Sequence, residues 1–359
     1  MRYYQLGLTR YDLGRAMPGF TLFTPLIQKT AYLVNMRGAI VHRWDLPSQP
    51  GNYAYLMPNG NLLVSTWIEG GPEGLNAKGG LIQELDWEGN VEWEYRDPAQ
   101  HHDFRRLSNG NTAYLAWEIL PEEARKRVRG GIPESERDEG IWGDYIREVD
   151  PSGNTVWEWH GYDHMDFEKY PLPEGQRRIE YAHPNSIAET PEGDILVSWR
   201  HNSMVGIINK STNGFKWIEA RREFGNQHDA QILENGNMML FANNAMLPGP
   251  GSKSRVWEFN YRTGETAWEY VGDPPYTFSS VFISGAQRLP NGNTLICEGQ
   301  WGRIFEVTPA GDLVWEYISP FFVPALPAKP ESKGNNVFRA YRYAPDGPEI
   351  RGRLDGLVD

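Results

Sequence analysis

Four side chains that lie far apart in the sequence, His102, His183, Arg200 and His228, share one structural register. A recurring turn sets it, with glycine at Gly60, Gly110, Gly193, Gly236 and Gly292. Eight residues before these glycines stand Asn52, His102, Asn185, His228 and Ser284. Seven residues after them stand Trp67, Trp117, Arg200, Asn243 and Gly299. In an antiparallel hairpin both sets lie at the same end, away from the turn. His183 precedes Asn185 by two and shares its strand face. Imidazoles, a guanidinium and amides with no carboxylate in register are not a glycosidase pair. The chain also lacks G-x-S-x-G, a phosphate-binding loop and a dinucleotide fingerprint. Three imidazoles can ligate a metal, although Arg200 would set a fixed positive charge beside the cation. Arg with His suits a tetrahedral oxyanion, sulfate or phosphate, held by charge-assisted hydrogen bonds. A neutral imidazole can attack sulfur or phosphorus and carry the group, while the other donors stabilise charge on the equatorial oxygens.

The other titratable groups nearby read differently. His42, His160 and His164 fall at strand ends or in loops and are expected to be structural or on the surface. Strict alternation turns His101 and His201 to the opposite strand face. Asp103 and Asp229 follow His102 and His228, so they are expected to point away from the channel and to bond between blades.

The elements that must position these residues are repeated. PNGNLLV at 58–64, SNGNTAYL at 108–115, ENGNMML at 234–240 and PNGNTLI at 290–296 open alike. VEWEY at 91–95, TVWEW at 155–159, TAWEY at 266–270 and LVWEY at 313–317 close alike. A degenerate unit runs from PEGDILV at 191–197 to GFKWIEA at 214–220, and an N-terminal one from GFTLF at 19–23 to HRW at 42–44. Asn-Gly between apolar runs is a hairpin signal, read here as a tight two-residue turn. Each unit then holds about four short strands, and six units at this period predict an all-β fold: a six-bladed β-propeller of four-stranded antiparallel blades. The expected blades are about 19–45, 53–95, 103–160, 183–220, 228–270 and 283–317 within a single domain, 1–359, with 336–345 as a ring-closing strand. The first strand of each blade lines the central channel, so His102, His183 and His228 face one mouth. Most Trp residues are expected to pack between blades. Two insertions, 119–143 and 161–182, interrupt the pattern and are candidates for a lid or channel entry.

Composition narrows the partners. The 359 residues carry 35 Lys+Arg and 47 Asp+Glu, a formal charge of −12. That balance argues against nucleic acid and anionic membrane surfaces. A single cysteine, Cys297, excludes an internal disulfide. No secretory leader and no long apolar run are visible, so a cytoplasmic location is expected; a chain trimmed of its leader, and hence periplasmic, would look the same. An acidic body with a small cationic mouth favours a compact anion bearing an aromatic ring, with Trp67 and Trp117 as walls for the ring.

HHDF at 101–104, HPNS at 183–186, SWR at 198–200 and QHDA at 227–230 resemble the PAPS-independent arylsulfotransferases. TLFTP, AYLVNMRGAIVHRW and the late FRAYRY extend the likeness over roughly 19–345. The resemblance implies a six-bladed propeller that moves a sulfuryl group from a phenolic sulfate ester to a phenol by a ping-pong route, with no cofactor. It implies a sulfohistidine at His228, sulfuryl oxygens bound by Arg200 and His183, and proton transfer near His102, with Asn185 also matching the motif. Asn185, Asn243, Trp67 and Trp117 are the expected substrate contacts. Well-known members are longer and periplasmic, with a signal peptide and an additional N-terminal β domain holding a disulfide, features not visible in these 359 residues and so not expected here; a homodimer is compatible with the resemblance. Two alternatives stay open: a metal-dependent propeller hydrolase or lyase with His102, His183 and His228 as ligands, and a noncatalytic ligand- or protein-binding propeller.

Overall fold

Residues 5–247, 250–326 and 329–359 are described by a computed structural model. Six four-stranded antiparallel blades form a ring. Blade one draws on both ends of the chain: Val337–Tyr343 is innermost, followed outward by Phe20–Pro25, Thr30–Val34 and Ile40–Asp45. The inner strands of blades two to six are Pro50–Leu56, Gln100–Arg106, Pro184–Glu189, His228–Ile232 and Gly285–Arg288. Neighbouring inner strands touch around the whole ring, the sixth meeting the first. Gly7–Tyr11 adds a fifth strand to the outer edge of blade six, pairing with Leu313–Ile318. This covers an edge that would otherwise expose unpaired backbone groups.

The repeated residues explain the ring. In five of the six blades a Trp of the outer strand donates its indole N–H across to the next blade: Trp44 to Asp86 O, Trp93 to Pro151 O, Trp157 to Asn213 Oδ1, Trp268 to Pro309 O and Trp315 to Met36 O, at 2.8–2.9 Å. The Asn residues of the turns serve the same end. Asn59 and Asn61 both donate to Glu84, which also binds Arg106 of the next blade at 2.9 Å. Asn235 and Asn237 donate to Glu258, which binds Arg288 at 2.6 Å. Asn109 and Asn111 repeat the arrangement on Glu148 with Lys210. The turn itself differs from the expected two-residue form. Gly60 N–H donates to Met57 O and Met57 N–H to Asn61 O, a three-residue loop in which Gly60 alone takes the left-handed conformation, φ 84°.

The two insertions interlock. Glu122–Arg127 is a short helix, and Gly130–Ile132 pairs in parallel with Leu172–Arg177 of the second insertion. Arg178 donates to Gly130 O at 2.7 Å and to Val128 O at 3.3 Å. Tyr181 N–H donates to Trp142 O at 2.8 Å, which anchors the second insertion on blade three. No helix among the described residues is long and apolar enough to cross a membrane.

Candidate functional site

At the mouth end, four inner strands leave regular pairing. Register slips occur between Pro50 and Ala54, opposite Tyr114 and Leu115, between Pro184 and Ser186, and between His228 and Gln231. His102, His183 and Asp229 sit in the left-handed region, at φ 47°, 58° and 55°. Such conformations cost about 1–3 kcal/mol each in a non-glycine residue and gather at functional sites. Here they turn extra side chains inward.

The four expected residues do converge. His102 lies within electrostatic reach of His183, His101, His228 and Arg200. The rings of His102 and His183 meet edge-on, with centroids 4.5 Å apart. Burial first, then Arg200, holds the His228 imidazole well below its ordinary range; burial and then His183 do the same for His102. Both rings are therefore neutral near pH 7. Among the described residues, the side-chain hydrogen bond of Arg200 is Nη2 to Val281 O at 3.4 Å, which leaves most of its fork uncommitted.

Asn243 fixes the tautomer of His228. Its Nδ2 donates to Ser280 O at 2.8 Å and Ile283 O at 2.7 Å, so its Oδ1 is the end facing His228 Nδ1, at 2.7 Å. Nδ1 must then carry the hydrogen, and Nε2 keeps its lone pair. Asn243 is fully buried and lies behind His228. Asn185 is also buried; its Nδ2 donates to Gln227 O at 2.7 Å, while its Oδ1 has no partner among the described residues. Trp117 is 2% exposed and stacks on His101 at 4.2 Å, whereas Trp67 is 37% exposed. Trp67 lines an open cleft of about 910 Å³ beside the mouth, together with Asn52, Lys78, Phe282 and Asn336. Asn52 also donates to His102 O at 3.0 Å, which joins the cleft wall to the histidines.

The sequence reading missed a carboxylate. Glu180, from the second insertion, accepts from His183 Nδ1 at 2.7 Å and Trp117 Nε1 at 2.8 Å. Burial pushes its carboxyl up, but His183, His201 and the indole outweigh that and hold it below the usual range. Its signal was the E-Y-A-H spacing, with left-handed Ala182 and His183 curling the chain back on itself. His101 and His201 also join the cluster and do not face away: His101 Nδ1 is 2.7 Å from His102 Nδ1, and His201 stacks on His183 at 4.5 Å. The bulge at His102 breaks the alternation for His101, and His201 lies in the turn beyond its strand, where alternation does not apply. His42, His160 and His164 lie elsewhere, stacked on Trp87, paired with Glu118 and stacked on Trp159.

Asp103 and Asp229 bond between blades as expected, but they correct the expected direction. Arg339 of blade one binds Asp103 of blade three at 3.0 Å and Asp229 of blade five at 3.2 Å. Alternate blades can meet only on the central axis, so these carboxylates point into the channel. Arg339, Asp103 and Asp229 are 1%, 0% and 5–6% exposed, and Tyr53 of blade two donates to Asp103. Together they plug the channel below the histidines.

Among the described residues, Glu180, His183 and His201 form the group whose candidate metal-ligand atoms all lie within 4.8 Å of one another. His102 and His228 are not in it. The His183 and His201 rings are only 17° from parallel, which sets their lone pairs side by side and not toward one point.

A family model described as Arylsulfotransferase (ASST) matches residues 79–320. The chain belongs to the arylsulfotransferase family. The matched span contains His102, His183, Asn185, Arg200, His228 and Asn243. Membership in an arylsulfotransferase family supports sulfotransferase activity on small aromatic substrates as the general activity type. No curated protein matches the chain. Among solved structures, a Bacteroides caccae protein of unknown function is 14% identical with TM-score 0.58, covering 90% of this chain and 98% of that one. A streptogramin B lyase is 12% identical with TM-score 0.50, covering 88% and 83%. At these identities the likeness is to the propeller fold.

Proposed function

We propose that this arylsulfotransferase-family chain moves a sulfuryl group from an aryl sulfate to a phenolic acceptor in two steps, through a sulfo adduct on His228 Nε2 and without a nucleotide cofactor. The observation that carries the proposal is the Asn243 lock, which leaves a neutral imidazole with its lone pair at the mouth beside Arg200. In the first step that lone pair attacks sulfur and the aryl oxygen leaves. Arg200 and His183 hold the sulfuryl oxygens as charge spreads over them. Trp67 and the adjoining cleft take the aryl ring. In the second step a phenol oxygen attacks the same sulfur and His228 is restored.

Incubation with p-nitrophenyl sulfate and a phenol is expected to release nitrophenol and form the sulfated acceptor. Quenched protein should carry an acid-labile sulfo group on the peptide holding His228, absent in His228→Asn. No turnover of any aryl sulfate by folded protein would overturn the reading. A metal-dependent reading has the Glu180, His183 and His201 grouping in its favour. Stoichiometric metal in chelator-free protein, with activity lost on its removal, would replace the first reading by that one.

A further inference from the structure

His101 and His102 place their Nδ1 atoms 2.7 Å apart, with ring planes 87° apart. Two lone pairs or two N–H groups would repel at that distance, so one proton lies between the rings and their tautomers are interlocked. Behind them, His101 Nε2 lies 3.0 Å from Asp144 Oδ1, within reach but off the line of a hydrogen bond, and among the described residues neither atom has another partner. Trp117 clamps the His101 ring at an 18° stacking angle. Other titratable groups facing this line are Glu180 and Glu118 toward Asp144, His183 toward both imidazoles, and His228 and Arg200 toward His102. Burial, with Glu180 and Glu118, pushes the Asp144 carboxyl well above its ordinary range. Burial and then His183 pull His101 well below its own. These shifts favour a protonated carboxyl beside two neutral imidazoles. With the Asp144 hydroxyl swung onto His101 Nε2, the hydrogens would run one way: His101 Nδ1–H to His102 Nδ1, and His102 Nε2–H toward the mouth.

We propose that Asp144 and His101 form a proton relay behind His102, which delivers a proton to the departing phenol oxygen and recovers it from the acceptor phenol. The inference rests on the sulfuryl-transfer reading above. In the first step the His228 Nε2 lone pair forms the N–S bond, and the S–O bond breaks with its electrons staying on the aryl oxygen. That oxygen takes the His102 Nε2 proton. His102 Nδ1 takes the His101 Nδ1 proton, and His101 Nε2 takes the Asp144 proton, leaving a carboxylate. In the second step the acceptor oxygen bonds to sulfur, its proton enters at His102 Nε2, and each transfer reverses. The N–S electron pair returns to His228. Asp144 and His101 touch no substrate; they are positioning and proton-storing residues.

The test compares two donors in single turnover. Nitrophenoxide leaves with little help from a proton, whereas unsubstituted phenoxide needs one. Asp144→Asn preserves the shape and can donate to His101 Nε2 but cannot give up a proton; His101→Phe breaks the line. Both variants, checked for folding by thermal melting, are expected to lose about 3-fold with p-nitrophenyl sulfate and about 100-fold with phenyl sulfate, within the range of general acid catalysis. Equal losses with both donors, or no loss with either, would overturn the relay. Wild-type protein that forms no His228 adduct with either donor would overturn the transfer reading itself, and the relay with it. A second measurement needs no activity: nitrogen-15 spectra of histidine-labelled wild-type protein at neutral pH should show His102 protonated on Nε2 and bare on Nδ1. The opposite tautomer would refute the proposal even if the variants fail to fold.

Discussion

At His228 a single amide decides what the ring can do. Asn243 spends two N–H bonds on backbone carbonyls, and only its oxygen remains for the imidazole. Asn243→Ala should therefore slow sulfation of His228 by about 10- to 100-fold, the range seen for partners that orient a functional imidazole. It should also cost about 1–3 kcal/mol in a denaturant titration, because buried carbonyls lose their donor. Arg200→Ala is expected to lower kcat for transfer by about 10²–10³, as loss of one oxyanion donor does. His102, His183, Arg200 and His228 were legible because each sits at a fixed offset from a turn glycine or from Asn185. Glu180 and Asp144 were not, since neither belongs to that register. His101 was misread because left-handed His102 beside it resets the side-chain direction, and His201 because it lies in the turn after its strand, where alternation no longer holds.

Among the elements, the third strand of blade three, Trp142–Val149, brings Asp144 to the site. Its carboxyl titrates above the ordinary range when folded, so the unfolded chain gives up the proton first as pH rises. This group's contribution to stability is full below about pH 4 and declines above it toward the folded value. Asp144→Asn has no proton to lose and should flatten that part of the stability–pH curve, measured by urea unfolding between pH 4 and 8. The second insertion supplies Glu180, and Arg178 ties it to the first. Arg178→Ala should open the pair by about 1.5–3 kcal/mol locally, the worth of charged hydrogen bonds. Faster cleavage within 119–143 by a glutamate-specific protease, with slower transfer, is the expected result. The insertions were visible as interruptions of the repeat, but their mutual parallel pairing was not. Short strands of charged and glycine residues carry no periodic signal.

On the scale of the molecule, the Asn-Gly and Trp-Glu repeats made six antiparallel units readable, because most blades use the same cross-blade bonds. The axial plug was hidden, since it joins residues from alternate blades that no repeat relates. Arg339→Met should destabilise the protein by about 3–5 kcal/mol by stranding two buried carboxylates. Adding Asp103→Asn and Asp229→Asn should recover part of that loss in the same chemical denaturation. The plug also governs traffic. A ring open at both ends would let one molecule enter as another left by the far side. With Arg339 holding Asp103 and Asp229 on the axis, the way through is closed, and the mouth is both entrance and exit. A departing guest must clear the doorway before the next arrives, so each released product is a rival of the molecule waiting to replace it.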